Sequence, residues 1–227
     1  MRILSGLLVK SGVWGYIYNN MALLRQLLME NVDGVNFISV DIQPEYESHF
    51  GFSADRFCGF LNDNRERFGS CVLLYNGADT LGMVSENDYK MWLVDNGCEE
   101  QTIDTIEFYD KGYAFFRYCM DNSLDDSVIA NFVRFMYNND IRDSRDMDRE
   151  MWAKYLRQYR RTDKKIAYDL LKVSDDCVHI PELMDYLKRY TGNILLTGGG
   201  VNECLKEVEI SLMSLNKTYS LYRPFVY

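Results

Sequence analysis

The chain has 227 residues, 47% of them hydrophobic and 14% aromatic, with only 3 prolines; it can build one sizeable core and is poor in the residues of linkers and disorder. Its net charge of −9 argues against sequence-independent binding to nucleic acid, which rests on Lys and Arg neutralising phosphates, and offers no basic face to a membrane. The six cysteines, Cys58, Cys71, Cys98, Cys119, Cys177 and Cys204, form no C-x-x-C pair, and the histidines are only His49 and His179, so reduced thiols in a cytoplasmic protein are expected, with no metal and no cofactor.

Residues 1–33 read as an N-terminal appendage: an apolar stretch from Met1 to Asn20 of strand or hairpin character, then a helix over Met21 to Glu30. Lys10 interrupts the apolar stretch, no small-x-small cleavage site follows, and no run approaches the ~18 residues that span a bilayer. Neither a signal peptide nor a membrane anchor is expected, and Met21 and Met29 are alternative starts. Gly34 to Val40, GVNFISV, is nearly uncharged and predicts a strand buried on both faces, with Asp41 at its C-terminal end. A helix over Ala54 to Arg67, a strand over Ser70 to Tyr75 and a turn at Asn76-Gly77 follow. The next elements are a helix over Glu86 to Asn96 and a strand over Ile103 to Phe108.

Over residues 119–173, charged and aromatic residues alternate without strand signals, which predicts a helical insertion. Its helices fall near Asp125 to Asn138, Asp148 to Tyr159 and Thr162 to Leu171, with the acidic cluster Asp140, Asp143, Asp146 and Asp148 in a connection. Ile180 to Tyr190 predicts a helix with Pro181 at its start. Then Asn193 to Leu205, NILLTGGGVNECL, breaks an apolar strand into three glycines and delivers Cys204 into a helix, where Leu205, Val208, Leu212 and Leu215 recur at helical spacing. Strands alternating with helices describe a single α/β domain, doubly wound about a mostly parallel, Rossmann-like sheet. Ligands of such sheets bind beyond the carboxyl ends of the strands, where Asp41 and the Gly198 to Cys204 turn both map. A helix N-terminus also favours an anion, and so a thiolate on Cys204.

Two segments carry a family resemblance. VDIQPEYESHF, with Asp41 and Gln43, resembles the D-x-Q signature of the isochorismatase-like cysteine hydrolases, a family that includes nicotinamidases and N-carbamoyl amidohydrolases. ILLTGGGVNECL is similar to that family's strand, turn and nucleophile, with Gly198 and Cys204 in register. The resemblance implies a lysine after the third strand, which is Lys111 in EFYDKGYAFFR, with Lys172 as the competing candidate. It further implies hydrolysis of a small amide or related C–N bond in a small-molecule substrate, by a homo-oligomer. Cys204 would attack as nucleophile, Asp41 would move protons, and Lys111 would stabilise negative charge. The backbone around Gly199, Gly200, Val201, Asn202 and Glu203, together with Gln43, would supply oxyanion and substrate contacts. The chain departs from the family where Gly199 to Asn202 replace the more usual Val-x-Thr-Asp, and where only His49 stands for the metal-binding histidines of nicotinamidases.

Plainer roles compete for the same residues. Asp41 can cap a helix, Cys204 can be a buried apolar side chain, Lys111 a surface charge, and the glycines a packing or phosphate-binding turn; Tyr113, Phe115, Phe116 and Tyr118 read as core. Two other functions remain open. One is a Mg²⁺-dependent phosphodiesterase or nuclease using Asp41, Asp79 and the acidic cluster. The other is a catalytically degenerate binding or scaffolding module with the insertion as its interface.

Overall fold

A computed structural model describes residues 34–49, 53–77, 85–112, 124–158 and 178–227. Five strands, β1 (Val35–Val40), β2 (Phe68–Tyr75), β3 (Ile106–Asp110), β4 (Ile194–Gly198) and β5 (Tyr219–Leu221), form one sheet in the order β3-β2-β1-β4-β5. Every pairing is parallel, so each connection must cross a face of the sheet. The helices are α1 (Ala54–Asn64), α2 (Glu86–Asp95), α3 (Glu100–Ile103), α4 (Asp126–Asn138), α5 (Arg149–Gln158), α6 (Leu183–Lys188) and α7 (Cys204–Ser214).

Both faces of the central strands are covered, which is why β1 and β2 carry apolar residues on both sides of the pleat. On one face, Phe57 and Leu61 of α1 and Tyr89 and Leu93 of α2 pack on Val35, Phe37, Leu73 and Leu195. On the other, Leu183 and Leu187 of α6 and Leu205, Val208 and Leu212 of α7 pack on Ile38, Val40, Val72, Leu74 and Leu196. Each of these leucines and valines contributes roughly 1.5–3 kcal/mol by leaving water. The chain is thus a doubly wound α/β fold. Among the described residues, no helix is long and apolar enough to cross a membrane.

The crossover from β3 to β4 carries a further helical layer. The Asp125 side chain caps α4 by accepting from the Ser127 N–H at 2.8 Å, as its place before an apolar period predicts. Ile129, Phe132, Val133 and Met136 of α4 share a cluster with Tyr155 of α5, Met184 of α6 and Ile210 of α7. Arg134 Nε donates to the Ser214 carbonyl at 2.9 Å, satisfying a group left open at the end of α7. So α7, which begins with Cys204, is packed between the sheet and α4.

Three elements differ from the sequence expectation. Ile103 belongs to α3, its N–H donating to Glu99 O at 3.0 Å, and β3 starts only at Ile106. The helix expected from Ile180 is shorter, because Pro181 and Glu182 form a turn ahead of α6, with Met184 N–H on Pro181 O at 3.1 Å. β5 was not foreseen; its 3 half-buried residues are too few to show a period. The appendage, the Thr162 to Leu171 helix, Asp79, Tyr113 to Tyr118, Cys119, Lys172 and Cys177 lie outside the described residues.

Candidate functional site

From β1 the sheet grows one way through β2 and β3 and the other way through β4 and β5, so the carboxyl ends of β1 and β4 flank the switch point. There Val40 is paired with Gly198. Gly198 has φ +79 and a Cβ on it would lie 2.2 Å from Val40 O; Gly199 has φ +66 and a Cβ would lie 2.9 Å from Leu205 N. Only glycine fits such backbones and such approaches, and the tight turn that results sets Cys204 down as the first residue of α7.

Asp41 follows β1 in a left-handed conformation, φ 48, which costs a non-glycine residue about 1–3 kcal/mol and persists only where neighbours enforce it. Three bonds do so. Asp41 N–H donates to Leu74 O at 2.9 Å, the Tyr227 hydroxyl donates to Asp41 O at 3.0 Å, and the Tyr89 hydroxyl donates to Ile42 O. Lys111 directly follows β3, tied by its N–H to Tyr75 O at 2.9 Å. Its side chain reaches across the end of β2 to place Nζ 3.1 Å from Asp41 Oδ2, with side-chain exposures of 2% and 0%. Among the described residues the Asp41 carboxylate, beyond this ion pair, is approached by the Cys204 thiol.

Burial is the largest single influence on Lys111 and works against its charge, but Asp41, Cys204 and Glu207 together outweigh it, and the lysine pKa lies above its ordinary value. For Cys204 the balance runs the other way from the thiolate expected at a helix start. Burial and the Asp41 carboxylate push its pKa well up, Lys111 pulls it down only in part, and Glu207, one turn along α7, adds to the rise. A helix dipole is a partial charge; a dry site beside a full carboxylate overrides it. The resting group is therefore a neutral thiol next to an ion pair.

The turn after β4 is less open than its sequence implied. The Val201 N–H donates to the Tyr227 backbone oxygen at 3.0 Å and the Glu203 N–H to Gly200 O at 3.0 Å, while Gly199 O accepts from Tyr227 N–H at 3.2 Å. The side chains of Val201, Asn202 and Glu203 are exposed. Of the backbone donors proposed for an oxyanion, those of Val201 and Glu203 are thus already engaged. Gln43 is fully buried and does a structural job: Oε1 accepts from Asn76 N–H at 2.9 Å and Nε2 donates to Asn76 O at 3.3 Å and to Glu45 Oε2 at 3.0 Å. It clamps the end of β1 to the end of β2.

Tyr227 and Tyr89 had no signal in the sequence, since neither sits in a motif nor beside the residues it holds. Burial, then Asp41, Cys204 and Glu203 raise the Tyr227 phenol pKa, which puts its ring among the site residues. Two members of the acidic cluster have local partners: Asp143 pairs with Arg145 at 2.6 Å, and Asp148 accepts from Met151 N–H at 2.8 Å at the start of α5. Among the described residues no group of three or more His, Cys, Asp or Glu side chains is arranged to hold a metal ion. No family model, curated protein or solved structure matches the chain.

Proposed function

We propose that the chain is an isochorismatase-like cysteine hydrolase acting on the C–N bond of a small amide or related compound, in the cytoplasm. The observation that carries the reading is the buried Lys111–Asp41 ion pair beside the Cys204 thiol at the switch point of the sheet. Because the thiol rests neutral, its proton passes to Asp41 as Sγ attacks the amide carbon, and Lys111 supplies positive charge as the thiolate forms. The C–N bond then breaks and the amine leaves with the proton held by Asp41; a water deprotonated by Asp41 attacks the thioester carbon, the C–S bond breaks to release the acid, and the Cys204 sulfur takes the proton back from Asp41. The test is turnover of a panel of small amides by wild type, Cys204→Ala and Cys204→Ser. Both variants should lose activity on the order of 10³-fold or more, and turnover that survives Cys204→Ala overturns the mechanism.

A second reading, a catalytically degenerate binding module, is favoured by the engaged Val201 and Glu203 N–H groups. Fewer donors at the turn mean weaker stabilisation of an oxyanion, about 3–4 kcal/mol for each donor lost. Wild-type protein that turns over no amide, yet keeps its cellular role in Cys204→Ala form, selects this reading.

A further inference from the structure

Away from the candidate site, α1 and the turn after α2 bring two thiols together. α2 ends on Gly97, φ +89, with Gly97 N–H on Val94 O and Cys98 N–H on Leu93 O, both at 2.9 Å; this helix stop fixes the residue after the glycine. The Cys58 thiol, on α1, donates to that same Leu93 oxygen at 3.5 Å. One turn further along the same face of α1, Asn62 brackets Cys98: Nδ2 donates to Gly97 O at 2.9 Å and Oδ1 accepts from Glu99 N–H at 3.0 Å. Arg65 adds an ion pair to Glu99 at 3.0 Å. The backbone on both sides of Cys98 is thereby held against α1, its N–H shares the Leu93 oxygen with the Cys58 thiol, and the two thiols stand close enough to shift each other's pKa.

We propose that Cys58 and Cys98 form a dithiol site that a small hydroperoxide converts to a disulfide, stapling α1 to the end of α2. Cys98, the less buried of the two at 4% exposed against 0%, is the attacking thiol. The neighbouring Cys58 thiol lowers the Cys98 pKa, whereas Cys98 and then burial push the Cys58 pKa up. The Cys98 thiolate attacks a peroxide oxygen, the O–O bond breaks, and the departing oxygen takes the thiol's proton and leaves as water or alcohol. Cys58 sulfur then attacks the sulfur of the Cys98 sulfenic acid, and the hydroxyl leaves with the Cys58 proton as water. Two electrons pass from the two thiols to the peroxide. The competing thiol is Cys71 on β2, whose pKa is raised by burial and then by Cys98. Both members of the pair are core residues, 0% and 4% exposed, so the bond forms slowly and is thereafter sheltered from reductants.

The full chain is treated with hydrogen peroxide, quenched with iodoacetamide under denaturing conditions and mapped by non-reducing peptide mass spectrometry. The expected product is a single cross-linked pair joining the Cys58 and Cys98 peptides, lighter than the two thiols by two hydrogens and restored by dithiothreitol. Its thermal midpoint should rise by several degrees, because the unfolded chain loses freedom. Cys98→Ser should give no cross-link. Finding both thiols alkylated, finding Cys98 oxidised without Cys58, or finding Cys98 bonded to Cys71 overturns the proposal. Should Cys98→Ser fail to fold, the wild-type map alone decides. Cys58 and Cys98 pack in the core on the opposite face of the sheet from Cys204, so this result is independent of the hydrolase reading.

Discussion

Replacing Lys111 with methionine isolates the energetics of the site. Methionine keeps most of the apolar stem and removes the charge, so the Asp41 carboxylate, 0% exposed, loses the cation that stood 3.1 Å from Oδ2. At that separation and an effective dielectric near 20, Coulomb's law gives an attraction of roughly 5 kcal/mol. Deleting one partner of a buried pair costs about 3–5 kcal/mol, because the survivor stays charged without its partner or water. At about 2–4 °C per kcal/mol for a domain of this size, the midpoint at neutral pH should fall by roughly 6–20 °C. The double variant Asp41→Asn/Lys111→Met removes both charges and should recover more than half of that loss.

The sign of the pH dependence follows from linkage. In the wild type the lysine pKa is raised by folding, so its contribution is complete below the ordinary value of 10.5 and is lost as pH rises past it. Circular dichroism melts at neutral, mildly acidic and alkaline pH measure all of this. A fall below about 2 °C in the single variant, or a double variant no more stable than the single, refutes the reasoning.

Asp41→Asn removes a charge that raises the Cys204 pKa and leaves Lys111, which lowers it. Iodoacetamide should therefore alkylate Cys204 faster at neutral pH even as amide turnover disappears; slower labelling contradicts the electrostatic order. Gly198→Ala, with its Cβ 2.2 Å from Val40 O at φ +79, should cost at least ~2 kcal/mol. An unchanged urea midpoint would exclude the close approach. Tyr227→Phe takes away the donor 3.0 Å from Asp41 O and should cost about 1–2 kcal/mol, as well as changing the rate of Cys204 alkylation. Identical stability and labelling would mean that the hydroxyl does not hold Asp41.

What could be read from the sequence was what local chemistry dictates. GVNFISV and SCVLLY announced doubly buried strands because both faces of β1 and β2 are dry, and Asp125 announced α4 because a capping side chain precedes an apolar period. Asp41 and the glycine turn met on the page because the end of an apolar strand is the end of a parallel strand, and those ends share an edge. Lys111 came from the family resemblance, with Lys172 competing; its place after β3 is what lets it reach Asp41. The bonds from Gln43 to Asn76 were not legible, because nothing in its neighbours along the chain points to that partner. The Cys204 thiol was misjudged for a similar reason: its helix position is local, whereas its burial and the Asp41 charge come from distant segments. Tyr227 reaches Asp41 from 186 positions away, and no local pattern marks it.

That separation has a kinetic meaning. Asp41, Lys111, Cys204 and Tyr227 come from four widely spaced stretches, joined by parallel pairings such as Ser39 with Thr197. Closing contacts of such span is entropically costly and comes late in folding. A nascent or partly unfolded chain therefore holds its thiol, its carboxylate and its lysine apart, and the buried cluster comes into being only as β4 docks beside β1 and the segment through Tyr227 settles over it.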